Sequence, residues 1–352
     1  MLYFNIKKEY EGFSLECEFS VKDGEILCIL GKSGSGKTTL LNVLSGVESE
    51  AEGIVKSNET VFLNSETKEF IPIHKRKIGY IEQKPNLFPH LTVRENIFYG
   101  IKKKPYTKAQ LDRFEYLLDA FSLKGQEDKM PNELSGGQQQ RASIMRAIMY
   151  EPSLLLLDEP FSALDTNLRL GLRKLVLKLR DELKIPMIFV THDLEEGYFI
   201  CDKTIIIEDG KVIARGKKKE VFTSPTNLKQ AIFVGFSNIF KARASRENNQ
   251  LSFCNLTIPL GDRELDGEVY ASIRDTAFSL KERENDCSLE VVILEINSFI
   301  DKKEIRAKIL LDGSSEGEDS FLNFTIKSSK ELAVGDKIKV YFKSSDVCAF
   351  YE

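Results

Sequence analysis

The chain has 352 residues, 42% hydrophobic and 30% charged, with a net charge of -4. The length exceeds one ordinary core and implies two domains, and the near balance of charge gives no broad electrostatic ground for nucleic-acid binding. Six cysteines without a CxxC pair and only three histidines argue against a structural zinc site and for core thiols in a reducing compartment.

The opening, MLYFNIKKEYEGF, lacks a basic segment followed by a long apolar run, so it does not read as a signal peptide. No segment holds the roughly 18 apolar residues needed to cross a bilayer, so a membrane role would come through a partner. The lysine clusters 101-IKKKPYTK and 215-RGKKKE read as solvated faces.

Residues 13 to 30 predict two strands around a turn at Asp23-Gly24, the second a buried apolar run. The segment Gly31-Lys32-Ser33-Gly34-Ser35-Gly36-Lys37-Thr38 follows, then Thr39 and a helical pattern to Gly46. RKIGYIE at 76 to 82 is a further strand. From about Pro89 to Tyr150 the text turns helical, with Leu111, Phe114, Leu117, Leu118 and Phe121 on one expected apolar face. SLLLL at 153 to 157 is a buried strand, and a long helix runs from about Leu164 to Leu183. IPMIFVTH is the next strand, and a helix near 193 to 201 leads to a hairpin turning at Asp209-Gly210. Alternating strands and helices point to an α/β core with a largely parallel sheet. Beyond about residue 237 the signal is of short strands: LSFCNLTI, GEVYASIR, LEVVILEI, EIRAKILL, FLNFTI and KIKVYFK. That pattern predicts a small barrel or sandwich, and the likeness of GEVYASIR to DKIKVYFK raises an internal duplication.

The segment 31 to 38 is a complete GxxxxGK[ST], expected by accident about once in a hundred chains of this length. Its glycines let successive N–H groups curl toward a phosphate, and the helix N-terminus adds its positive end. Lys37 can reach the β- and γ-phosphates, and the Thr38 hydroxyl can ligate Mg²⁺. Asp158 and Glu159 are two adjacent acids at the end of an apolar strand, where carboxylates are paired, bind metal or cap the helix after Pro160. Beside a phosphate loop, Asp158 fits an Mg²⁺ ligand and Glu159 the base that polarises the attacking water. His192 ends another buried strand, where ligand groups gather in an α/β core, and fits a γ-phosphate contact or a water-orienting role.

LSGGQQQR at 134 to 141 closely resembles the signature motif of the ABC ATPases. The resemblance covers residues 1 to about 236, with a helical subdomain at about 89 to 150. It implies that Gln83, in GYIEQ, contacts Mg²⁺ and the attacking water, that SALD at 162 to 165 is the D-loop, and that His192 is the switch histidine. Ser135 offers a hydroxyl, Gly136 and Gly137 allow close backbone approach, and a helix from Gln138 points its positive end at a phosphate. A second phosphate cradle in one chain makes sense if it serves another copy. The resemblance implies a head-to-tail homodimer enclosing two ATP molecules, with Asp165 at the seam. It also implies an aromatic ring on adenine, Tyr10 or alternatively Phe13.

FIPIHKRKIGYIEQKPNLFPHLTVRENIFYG resembles the importer ATPases, most of all those for molybdate or tungstate. There Leu87, Phe88, Pro89 and Leu91 would line the groove for a transmembrane permease, which works with an external substrate-binding protein. Such a subunit would be peripheral at the cytoplasmic face of the membrane. Ferric iron, sulfate and polyamine importers share this architecture. The tail, 237 to 352, resembles the OB-like (TOBE/MOP-like) regulatory or dimerisation domains of such importers, with Ser237 and Asn238 as landmarks. A non-transport ABC ATPase would be expected to carry paired cassettes or long coiled coils, and a non-hydrolysing sensor to lack Glu159 or His192.

Overall fold

The structure, a computed structural model, describes residues 1–352 other than Glu11, Lys102, Lys103, Ala163, Asp165, Asp262, Asn285, 311–320, 328–330 and the side chains of Thr166 and Asn167. Contacts divide the chain into two compact units, Met1–Val221 and Phe222–Glu352.

The first unit runs β1 (Leu2–Tyr10), β2 (Phe13–Val21), β3 (Ile26–Leu30), α1 (Lys37–Ser45), β4 (Glu52–Ser57), β5 (Thr60–Asn64), β6 (Glu69–Phe70), β7 (Ile78–Ile81), α2 (Val93–Phe98), α3 (Lys108–Ala120), α4 (Gly136–Ile148), β8 (Leu154–Asp158), α5 (Thr166–Leu183), β9 (Met187–Thr191), α6 (Leu194–Ile200), β10 (Lys203–Glu208) and β11 (Lys211–Lys217). A further helix, α7 (Lys218–Thr223), spans the division. Among the described residues these strands form one sheet, ordered β6-β5-β4-β1-β2-β11-β10-β3-β9-β8-β7. Every residue of β3 and β9 is buried, as are the four leucines of β8, so this half of the sheet is covered on both faces and its strands read as unbroken apolar runs. β10, β3, β9, β8 and β7 are mutually parallel.

The other half is antiparallel, and apart from β2 and β11 its strands were not legible. In β1, Leu2, Phe4 and Ile6 face the core and alternate with half-buried or exposed residues. Lys8 takes the next inward position, and its ammonium is met by the Glu50 carbonyl and the Glu48 carboxylate at 3.4 Å. A lysine in the core register disguises the period-2 pattern of a strand.

Two expectations in the helical region are corrected. Leu111 is 42% exposed, whereas Phe114, Leu117, Leu118 and Phe121 are buried. At 100° per residue Leu111 falls about 70° from the middle of that face, and it lies in the first turn. The signature helix begins at Gly136 rather than Gln138, because Ser135 is its N-cap.

The second unit carries α8 (Leu228–Phe233), then β12 (Asn238–Ser245), β13 (Gln250–Phe253), β14 (Leu256–Pro259), β15 (Gly267–Ile273), β16 (Asp286–Ser298), β17 (Lys303–Ile309), β18 (Phe321–Ile326), β19 (Lys337–Lys343) and β20 (Val347–Phe350). They make two antiparallel sheets, β14-β13-β12-β15-β20 and β18-β17-β16-β19, closed over one apolar core in the manner of an OB-like domain. LSFCNLTI, expected as one strand, is a hairpin: Cys254 and Asn255 both take positive φ, the two-residue turn whose twist matches the flanking strands. GEVYASIR and KIKVYFK lie in different sheets, and each runs into a 3₁₀ turn, at Asp275–Ala277 and Ser344–Asp346.

Asn238 fastens the two sheets together. Its buried amide donates to the Ile273 carbonyl at 3.2 Å and the Asn323 carbonyl at 2.7 Å, and accepts from the Asn323 N–H at 2.7 Å. The stretch from Phe222 to Phe236 belongs to this unit by its contacts. The Arg274 guanidinium donates to the carbonyls of Phe222 and Val234 and lies over the Phe236 ring, and Cys348 Sγ donates to the Thr223 carbonyl.

Candidate active site

Because β3, β9, β8 and β7 are parallel, the residues that follow each of them leave the sheet at one edge. Leu30 is level with Thr191, Asp158 with Val190 and Leu157 with Ile81. The turns after these strands therefore bring together the 31–38 loop, Asp158 with Glu159, His192 and Gln83, as expected where ligands bind in open α/β sheets.

The loop is built for close approach. A Cβ on Gly31 would stand 2.3 Å from Ser35 Oγ and 2.5 Å from the Ile207 carbonyl, and Gly36, at φ 105°, would drive one to 2.8 Å from the Phe13 ring. Gly36 is the N-cap of α1 and supplies no side-chain acceptor, so the first N–H groups of the helix stay unclaimed by any cap. The Lys37 ammonium donates to the carbonyls of Gly31 and Lys32, each at 2.8 Å. Burial lowers its pKa, and the charges of Glu159 and Asp158 oppose that shift. Lys32, Ser33 and Gly34 face solvent, with Lys32 3.4 Å from Glu208; Thr38 is exposed and Thr39 half-buried. Ser35 Oγ is buried and has no hydrogen-bond partner among the described residues.

Asp158 is pushed up from 3.8 to about 6, mainly by burial, with Glu159 and Glu82 raising it further and Lys37 opposing them. Glu159 sits at φ 43°, a left-handed conformation costly for a non-glycine residue, fixed by its N–H to the Val190 carbonyl at 3.0 Å. The turn presents its carboxylate to His192, Nδ1 to Oε2 being 3.1 Å. The two residues assigned to hydrolysis from sequence thus meet. Gln83 is exposed just beyond β7.

The donor set fits Mg²⁺. A hydroxyl at Thr38 and a carboxylate at Asp158 are hard oxygen ligands, and this ion is commonly held by one or two protein groups plus substrate phosphates. The raised pKa of Asp158 marks a half-buried acid whose charge a cation would stabilise.

Ser135 and Gln138 form a capping box: Ser135 Oγ accepts from the Gln138 N–H at 3.3 Å, and Gln138 Oε1 accepts from the Ser135 N–H at 2.9 Å. Ser135 Oγ serves as acceptor here, which leaves its proton to donate elsewhere. Gly136 opens to free space, while Gly137 packs against Leu168. α4 packs on α2 and β7, and α1 packs on β8. Asp165 lies outside the described residues.

Tyr10 is 46% exposed at the end of β1, its ring centroid 6.4 Å from that of Phe13, and its hydroxyl reaches Glu48. Phe13 packs against Gly36 and the core. The expected permease groove is revised at one position. Leu87 is buried, so the accessible lining is Phe88, Pro89 and Leu91, together with Tyr99, whose ring lies tilted against Phe88 with centroids 4.2 Å apart. The fully buried Asn96 holds this loop, accepting from the Phe88 N–H and donating to the carbonyls of Phe88 and Leu91.

Two features escaped the sequence reading. Arg76 is buried without a carboxylate partner among the described residues. It donates to the carbonyls of Val43 and Leu44 at the end of α1 and of Ile71 and Phe62, and burial pulls its pKa down to about 10. Arg169 and Arg173, one turn apart on α5, surround Asp193 and Glu196 beside His192. An i, i+4 arginine pair followed by THDLEE was the available signal.

The ABC transporter family profile matches residues 15–162. The sulfate/thiosulfate import ATP-binding protein CysA of Halalkalibacterium halodurans is 33% identical over 94% of this chain and 98% of its own length. The molybdenum import ATP-binding protein ModC of Vibrio parahaemolyticus is 32% identical over 95% of this chain and 94% of its own. Among solved structures, the dimeric post-hydrolysis state of the ATP-binding cassette MJ0796, bound to ADP and Pi, superposes with a TM-score of 0.52 at 29% identity, covering 62% of this chain and 99% of that one. With its phosphate loop, paired acids and signature helix in place, the chain belongs to the ATP-binding subunits of ABC importers, ATPases whose members hydrolyse ATP to drive transport.

Proposed function

We propose that two copies of this chain, joined head to tail, enclose two ATP molecules and energise import of a small oxyanion, molybdate or tungstate first. The contact between Glu159 and His192, beside Lys37 at the edge of the parallel sheet, carries the catalytic part of this reading. Lys37 would leave the Gly31 and Lys32 carbonyls for the β- and γ-phosphates, and the uncapped N–H groups of α1 would face the same anion. Glu159 would accept the proton of the attacking water, and His192 would hold the carboxylate in place while its ring faces the γ-phosphate. Mg²⁺, when bound, neutralises phosphate charge; Thr38 and Asp158 would hold it, with Gln83 adding its amide oxygen. Tyr10, exposed beside the loop, is the ring for adenine, with Phe13 packed behind it.

The partner copy's signature, Ser135 to Gln138, would close the site, with Asp165 at the seam. The presence of a second glycine-bearing helix N-terminus in the same chain, at Ser135 to Gly137, supports this. The groove around Phe88 and Tyr99 would receive the permease, placing the chain at the cytoplasmic face of the membrane beneath a transporter fed by an external binding protein. The tail would pair the copies or bind the oxyanion. Sulfate, ferric iron and polyamines are the competing cargoes.

Glu159→Gln should cut phosphate release at least about a hundredfold and trap a dimer with ATP in gel filtration; unchanged release would refute the role. Uptake of labelled molybdate, against sulfate, iron and spermidine, in cells with and without this chain tests the cargo.

A further inference from the structure

The residues that flank His192 are held by a network no catalytic role requires. The Thr191 hydroxyl donates to Glu196 at 2.8 Å and accepts from the Asp193 N–H at 3.0 Å. One oxygen of Asp193 caps α6, accepting from the N–H groups of Glu195 and Glu196. Its other oxygen faces α5, 3.9 Å from both Arg169 and Arg173, and Arg173 stands 3.5 Å from Glu196. Arg169 reaches further. Its Nε donates to the Leu164 carbonyl at 2.9 Å, and Nη2 to the Ser162 carbonyl at 3.4 Å. One guanidinium therefore grips both the loop that follows Glu159 and the turn that carries His192.

We infer that Arg169 is a positioning residue that couples the loop after Glu159 to the Glu159–His192 contact. The planar fork hydrogen-bonds two carbonyls of one loop while ion-pairing with a carboxylate of the other, an arrangement that the point charge of a lysine cannot reproduce. A displacement of Ser162 and Leu164, such as docking of a second copy would impose, is passed through Asp193 to His192. Hydrolytic geometry is then set by the state of a loop that need not touch the phosphate. The inference rests on Glu159 and His192 being the hydrolytic pair.

The test compares Arg169→Met, Arg169→Lys and Glu159→Gln in the full chain, by steady-state hydrolysis of ATP with Mg²⁺, thermal melting and ¹H–¹⁵N correlation of the three histidine rings. Arg169→Met should lower kcat about tenfold while KM for ATP stays within about twofold and Tm is kept. The His192 resonances should shift while those of His74 and His90 stay, and Arg169→Lys should restore less than half of the lost kcat. An unchanged kcat, an unmoved His192 signal, or kcat and Tm falling together would overturn the coupling. Full turnover in Glu159→Gln would instead remove the hydrolytic pair itself, so the two failures are distinguishable.

Discussion

Two helix N-termini in the first unit bear glycines and point their positive ends outward, yet they are finished differently. α1 begins at Gly36, which offers no side-chain acceptor, and the nearest charge, Lys37, is folded back onto the loop's own carbonyls. α4 begins at Ser135, and a full capping box with Gln138 already satisfies its first turn. The difference teaches which helix is built around its ligand. A helix whose donors are left open depends on an anion to complete it. One that is capped by its own side chains keeps its shape alone and can wait for a second copy to bring the phosphate.

The largest effect should separate the two ends by what each does for a single chain. Lys37→Ala removes a charge-assisted contact and should weaken ATP binding about a hundredfold in equilibrium titration. Ser135→Arg should leave the affinity of the single chain within about threefold while abolishing ATP-driven dimerisation in sedimentation. Equal losses of affinity in both variants would erase the distinction.

A smaller effect tests the electrostatic setting that α1 faces. Asp158, half-buried at the end of β8, has a pKa raised to about 6 against 3.8 in an ordinary carboxyl. The folded state therefore binds the proton more tightly, so the acid lowers stability as pH rises from about 4 to 6 and keeps that effect above. Without nucleotide, Asp158→Asn should raise Tm by about 2 °C at pH 8, and the gain should vanish by pH 4. A lower Tm at pH 8 would show that attraction to Lys37 outweighs burial. The α4 end is closed by its own capping box, and variants of Ser135 and Gln138 should melt without this pH dependence.

What could be read from the residues follows the same division. The phosphate loop, Asp158, Glu159, His192 and the signature are local strings whose chemistry requires fixed spacing, so the parallel half of the sheet and its edge were legible. In the antiparallel half β2 and β11 were legible too, but β1, β4, β5 and β6 were not: β1 places Lys8 in a core register and β6 holds only two residues. Arg76 was hidden for another reason: its partners are backbone carbonyls, some distant in sequence, which leave no residue-type signature, and the carbonyl partners of Arg169 are unmarked in the same way even though its pairing with Arg173 was visible. In the second unit the strands announced themselves by alternation, but the CN turn lacks the glycine that usually marks a two-residue hairpin, so β13 and β14 merged. Asn238 was noticed as a landmark, and only the pairing of its amide with Asn323 shows it as a fastener.

The smallest effect bears on Gln138, which the capping box and the proposed nucleotide enclosure both claim. Its Oε1 accepts from the Ser135 N–H, whereas its amide nitrogen is left for a phosphate of the partner copy's ATP. Gln138→Ala leaves the Ser135 cap standing and removes one reciprocal bond, about 0.5 kcal/mol at an exposed helix end. Tm should fall by about 1–2 °C. Turnover held within about twofold would leave the side chain to the cap alone, whereas the tenfold fall expected of a residue in the enclosure would assign it there. The end of α4 would then be half-built around its ligand, as α1 is entirely, and the contrast between the two helices would become one of degree.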